Sequence, residues 1–73
     1  MNVPTIDIQQ TGANIKVLRK AAGIKVKDVA DMLGVSPQAV AKWQAGTALP
    51  TIDNLVILAA MLDTKIDDIL VIA

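Results

Sequence analysis

The sequence predicts an all-α fold, with five short helices packed into one compact bundle. Three observations lead there. Apolar residues recur three and four positions apart in successive stretches from Ile15 to Leu70. Ser, Thr, Pro and Gly stand between these stretches, at positions that start and stop helices. The apolar residues, 53% of the 73, are aliphatic save for Trp43, which suits helices packing at close range.

Residues 1–11 read as an N-terminal arm, and residues 12–73 as the folded domain. In the arm Val3, Ile6 and Ile8 alternate with other residues, and Pro4 opposes a helix start. That pattern admits two readings, an extended segment under some cover or a frayed terminus. Thr11 is placed to cap a first helix running to about Ala22, with Ile15, Leu18 and Ala22 on one face and Gly23 closing it. A second helix covers about Val26 to Leu33, with Val29, Ala30 and Leu33 inward and Gly34 ending it.

The third helix has the clearest start. The Ser36 hydroxyl can accept from a free amide of the first turn. Pro37 follows at the first helical position, where its missing N–H costs nothing. Val40 and Trp43 face inward, and Gly46 closes the helix. Pro50 and Thr51 open a fourth helix, with Asp53 in the first turn, favoured by the helix dipole, and a core stripe of Leu55, Leu58, Ala59 and Leu62. A short fifth helix covers about Ile66 to Leu70, again with acids, Asp67 and Asp68, in its first turn.

Composition removes several classes of function. Without Cys there is no disulfide framework and no thiolate metal site. Without His or Glu, a His-based triad, a His–metal site and a Glu general base cannot be built. No catalytic residue, metal, cofactor or small-molecule ligand is expected, and the chain reads as a non-enzyme. The first fourteen residues hold no Lys or Arg, unlike a signal peptide. The longest apolar run, Leu55 to Leu62, is far short of the roughly 20 residues that span a bilayer. A cytoplasmic protein with no membrane partner is the expectation.

Helices two and three are joined by only a few residues around Gly34-Val35, which is a helix-turn-helix arrangement. Each special position there has a mechanical reason. Ala30 is small where the third helix crosses close. Gly34 can take the positive φ that a sharp turn demands. Val35 tucks beneath the turn, and Val40 and Trp43 anchor the third helix on the second. Counting from Val26, the small residue falls at five, Gly at nine, a β-branched residue at fifteen and a bulky apolar residue at eighteen.

The string from Ile24 through Ala30, Gly34, Ser36 and Trp43 to Gly46 resembles the Cro and lambda-repressor type of helix-turn-helix protein, also called the Xre family. Ile15 to Gly23 is similar to the family's first helix, and Leu49 to Leu55 and Ile66 to Leu70 resemble its fourth and fifth. The resemblance covers about residues 12–71. It implies a lambda-repressor-like bundle of five helices and a repressor-like transcriptional regulator. Such a protein binds double-stranded DNA as a dimer, with the third helix in the major groove.

A recognition helix presents its N-terminal residues to base edges. Here those are Pro37, Gln38, Ala41 and Lys42. A Gln amide can pair in bidentate fashion with adenine, a Lys can reach guanine or phosphate, and the Ala41 methyl can meet a thymine methyl. Ser36 can also meet a phosphate. Lys25 and Lys27 flank the start of the second helix, where the family grips the DNA backbone. Thr47 and the amides around Gly46 are further phosphate candidates.

The charge pattern and several departures pull the other way. Net charge is zero, although residues 1–46 carry six cations against three acids and residues 47–73 one cation against four. Val26 stands where the family often has a phosphate-binding Gln. Pro37 replaces a common base reader, and Ala45 stands where an Asn often binds phosphate. Gln44 replaces a Glu that commonly pairs with the Arg matching Arg19; a neutral Arg19–Gln44 hydrogen bond is expected instead, with Arg19 partly hydrated. Weak monomer binding follows, so a homodimer is expected, through Ile57, Met61, Val71 and Ile72. The same residues could simply complete a small core. The alternative function is a protein-interaction module, antitoxin-like or adaptor, that keeps the fold with weak or no DNA binding.

Overall fold

A computed structural model describes residues 3–73. It contains α1 (Ile8–Ala21), α2 (Val26–Leu33), α3 (Pro37–Ala45), α4 (Ile52–Met61) and α5 (Ile66–Ile69). The bounds of α2 and α3 are those the sequence pattern gives. None of the described helices is long and apolar enough to cross a membrane.

Ile15, Val29, Ala30, Val40, Trp43, Leu55, Leu58, Ala59, Leu62 and Ile69 form one buried cluster. Leu18, Leu33, Val35, Ile66 and Leu70 pack partly buried against it. All four members of the α4 stripe are therefore core. Ala22, expected on the inner face of α1, is exposed, because the helix has already ended and Ala22 occupies its C-cap. α1 packs on α3 and α5, α2 on α3 and α4, and α4 on α5.

The start of α1 differs from the sequence expectation. Asp7, not Thr11, caps the helix, its carboxylate accepting from the Gln10 N–H at 2.9 Å. Thr11 lies inside α1 and is fully buried, and its Oγ1 accepts from the Val71 N–H at 3.0 Å. One turn on, Asn14 Nδ2 donates to the Ile69 carbonyl at 3.2 Å. Two polar side chains of α1 thus hold the far end of the chain. Sequence pattern favoured the hydroxyl as a cap because the partner that claims it stands 60 residues away.

The arm is extended where it meets that end. Ile6 and Ile72 form an antiparallel bridge, flanked by Asp7 N–H to Val71 O at 2.7 Å and Ala73 N–H to Thr5 O at 2.8 Å. Residues 1 and 2 of the expected arm lie outside the described residues. Residues 8–11 belong to α1.

Gly12 marks the closest approach of two helices. A Cβ at this position would overlap the Trp43 carbonyl oxygen and stand 3.1 Å from that of Gln44. Only a glycine lets α1 lie this close on the C-terminal turn of α3. Gly34 makes the helix-turn-helix turn at φ 67°, the left-handed conformation that the short connection requires.

Candidate nucleic-acid interface

α3 is built as a rigid helix with one side free. Ser36 caps it, its Oγ accepting from the Ala39 N–H at 3.1 Å, and Pro37 occupies the first turn. Val40 is fully buried and Trp43 nearly so, with Ala39 half-buried beside them. The opposite side presents Pro37, Gln38, Ala41, Lys42 and Ala45, all exposed. Gln38, Ala41 and Ala45 lie on one helical face at spacings of three and four, with Lys42 beside them. A small-residue surface therefore faces outward, carrying one amide, Gln38, near the helix start and one cation, Lys42, in its last turn.

A polar clamp fixes the orientation of this helix. Arg19 Nε donates to Gln44 Oε1 at 2.8 Å, and Arg19 Nη1 donates to the Ile24 carbonyl at 2.9 Å. One half-buried guanidinium therefore joins α1, the loop two residues before the start of α2, and the end of α3. The neutral Arg19–Gln44 bond expected from sequence is present. The second bond, to the Ile24 backbone, had no local sequence signal.

The remaining candidates fare unequally. Lys25 precedes α2 with its side chain exposed and makes no capping bond. Lys27 Nζ lies 3.0 Å from Asp31 Oδ2, one turn along α2. The hydrogen bond to that carboxylate, and then its charge, raise the Lys27 pKa above its ordinary value. Both groups are open to water, so a phosphate can compete for the ammonium. Thr47 is exposed, but its hydroxyl donates to the Lys42 carbonyl at 3.2 Å and its amide to the same oxygen at 3.0 Å. The Gly46 amide is spent on Trp43 O. The donors proposed for phosphate around Gly46 and Thr47 are thus engaged in closing α3.

The expected dimer residues also divide. Ile57 is exposed on α4 and Ile72 is exposed on the tail. Met61 is half-buried and packs against the core. Val71 is half-buried, its N–H donating to Thr11 Oγ1 and its carbonyl accepting from the Asp7 N–H. Among the described residues no three His, Cys, Asp or Glu side chains gather as a metal site would need.

Comparison with known proteins gives the same architecture. The DNA-binding domain of the P22 c2 repressor superposes with a TM-score of 0.74 at 30% identity, over 92% of this chain and 82% of that one. The restriction-modification controller protein C.AhdI from Aeromonas hydrophila gives 0.77 at 24% identity, over 86% of this chain and 96% of that one. An HTH_3 family transcriptional regulator from Vibrio cholerae gives 0.72 at 27% identity, over 86% of this chain but 35% of that one. No curated protein matches the chain. The family model for HTH_3, helix-turn-helix, matches residues 15–69, from the middle of α1 to the end of α5. The chain therefore belongs to the HTH_3 helix-turn-helix family, of the Xre or lambda-repressor type.

Proposed function

We propose that the protein binds double-stranded DNA in a sequence-specific manner, as a dimeric, repressor-like transcriptional regulator that lays α3 in the major groove. The observation that carries this reading is the α3 surface. Gln38, Ala41 and Lys42 are exposed on a helix whose other side is locked by Val40, Trp43 and the Arg19–Gln44 bond. The Gln38 amide reads a base edge, Lys42 reaches a base or phosphate one turn on, and Ser36, Lys25 and Lys27 hold the backbone. Family membership and the regulators among its structural relatives support the same reading. A second copy compensates for the thin contact set, and the exposed Ile57 and Ile72 are apolar groups available for it.

Selection from random duplex DNA, run beside a measurement of solution mass, tests this. The expected result is an enriched palindrome whose half-sites lie about one helical turn apart. Gln38→Ala combined with Lys42→Ala abolishes the enrichment without changing the fold. With roughly three or four phosphate contacts, the log–log salt slope is about −3 per subunit. Binding unchanged between low and high salt would overturn the electrostatic part of the account.

A second reading has its own observations. Net charge is zero, Val26, Pro37 and Ala45 offer no donor side chain, Lys27 is paired with Asp31, and the Thr47 donors are engaged. These favour a protein-interaction module that keeps the fold and has lost DNA affinity. No enrichment at any salt concentration selects this second reading.

A further inference from the structure

The arm and tail make a two-stranded ribbon whose two outer edges are unlike. Ile6 and Ile72 face each other, while the bonds between the strands come from their neighbours, Asp7 to Val71 and Ala73 to Thr5. This is the non-hydrogen-bonded type of antiparallel pair, in which each bridging residue turns its own N–H and C=O outward. Neither Ile6 nor Ile72 takes part in a backbone hydrogen bond among the described residues. Each edge of the ribbon therefore offers one free donor and one free acceptor.

The arm edge is blunted. The next residue turned outward on that strand is Pro4, which has no N–H to give. The tail edge has no such device. Ile69 to Ala73 contains no charge and no proline, and Ile72 is 61% exposed. An open, apolar, uncharged edge is a template for another strand.

We propose that the tail edge is where a second copy of this chain docks, Ile72 pairing with its own counterpart across a two-fold axis. This rests on the dimeric reading above and names its mode. Three features fit a second copy. An identical strand laid antiparallel is related to the first by a two-fold rotation, the commonest symmetry of soluble oligomers. The hydrogen-bonded type of antiparallel pair needs one residue from each strand, exchanging both N–H to O bonds, and Ile72 spends neither group among the described residues. No like side-chain charges meet, because residues 69–73 carry none. The product is a four-stranded sheet in the order arm, tail, tail, arm. Directly opposed residues share a face, so two copies of Ile6 and two of Ile72 form one apolar row across it, each shielding its neighbours.

The test is the solution mass of the full chain across a concentration series, together with backbone amide exchange. In the wild type the Ile72 amide gains protection as the dimer forms, whereas the Ile6 amide stays fast. Ile72→Pro removes the one donor the pairing needs and leaves both arm–tail bonds intact, since neither uses the Ile72 N–H. It weakens the dimer about tenfold or more, as expected for two lost hydrogen bonds. Its fold is checked by the thermal midpoint and Trp43 emission. Should the variant not fold, the wild-type exchange of the Ile72 and Ile6 amides decides alone. A dimer that persists in Ile72→Pro, or one whose Ile72 amide exchanges freely, overturns the pairing and leaves a dimeric regulator standing. A wild type that stays monomeric overturns both the pairing and the dimer, and DNA selection still decides the DNA reading independently.

Discussion

The helix-turn-helix is closed by contacts between neighbours in sequence, whereas the two ends of the chain are closed by side-chain bonds that span 55 and 60 residues. In the first region Ala30, Gly34, Ser36, Val40 and Trp43 all fall within one short stretch. Their spacing alone dictates turn, cap and anchor. In the second region Thr11 and Asn14 act on Val71 and Ile69, and nothing adjacent to either side chain announces its partner. The difference separates a motif, which is local and transferable, from a closure, which belongs to this chain. α1 joins the two: its Gly12 and Arg19 touch α3, and its Thr11 and Asn14 hold the tail.

Breaking the joint itself has the largest expected effect. In Gly12→Ala the new methyl meets the Trp43 carbonyl, which is backbone and cannot rotate away. Replacing a helical glycine by alanine gains about 1 kcal/mol of helix propensity. Overpacking a well-filled contact costs about 1–3 kcal/mol, and a backbone obstruction puts this site at or above the upper end. The overlap therefore wins, with a net loss of about 2 kcal/mol. The thermal midpoint should fall by roughly 8–16 °C for a domain of this size. Trp43 emission should shift as α3 is displaced. An unchanged midpoint would mean that α1 and α3 do not pack as closely as they stand here.

The candidate site shows how far such reading reaches. The outward face of α3 follows from helical period alone, because Val40 and Trp43 bury one side and leave Gln38, Ala41 and Lys42 on the other. The Arg19–Gln44 bond was also legible, since the family pairs charged groups at those positions and Gln keeps the acceptor. The Lys27–Asp31 pair carries a sequence signal of its own, two opposite charges one helical turn apart. The inward use of the Thr47 hydroxyl carried none, because an exposed Thr after a helix looks the same whether it caps the last turn or waits for a ligand. Gly12 did have a signal. A glycine inside a helical pattern lowers helix stability, and it survives where another backbone lies against it. Of the arm–tail ribbon only the arm's half was legible, in the alternation that admits an extended segment; its partner is a single bridging residue, Ile72, too short to leave a periodic trace.

Cutting the closure alone sharpens the comparison at intermediate cost. Thr11→Val keeps the shape of a fully buried side chain and removes the acceptor for the Val71 N–H. Leaving that amide without its partner costs about 1–2 kcal/mol, reduced by whatever water reaches the half-buried Val71. The amides of Val71 and Ala73 should lose exchange protection, while those of α2 and α3 keep theirs. Equal loss throughout the chain would show that the ends and the motif unfold as one unit, and the distinction drawn between them would fail.

The smallest effect concerns charge rather than shape, at the entrance to α5. Asp68 Oδ2 accepts from Thr64 Oγ1 at 2.9 Å and from the Lys65 N–H at 3.3 Å. The bond from Thr64, followed by that from the Lys65 backbone, lowers its pKa below the ordinary 3.8. The ionised form is thus the one the fold favours. Its contribution is complete above the unfolded-state pKa and is lost as pH falls through the lower folded value. Asp68→Asn keeps an acceptor in place and removes the charge. The variant should therefore melt slightly below the wild type at neutral pH, with the gap closing in acid as the wild-type carboxyl gains its proton. A gap that stays constant down to strong acid would assign the effect to geometry. α5 would then be held, like the helix-turn-helix, by the shape of a local turn, and the bond from Asn14 to Ile69 would remain as its tie to the closure.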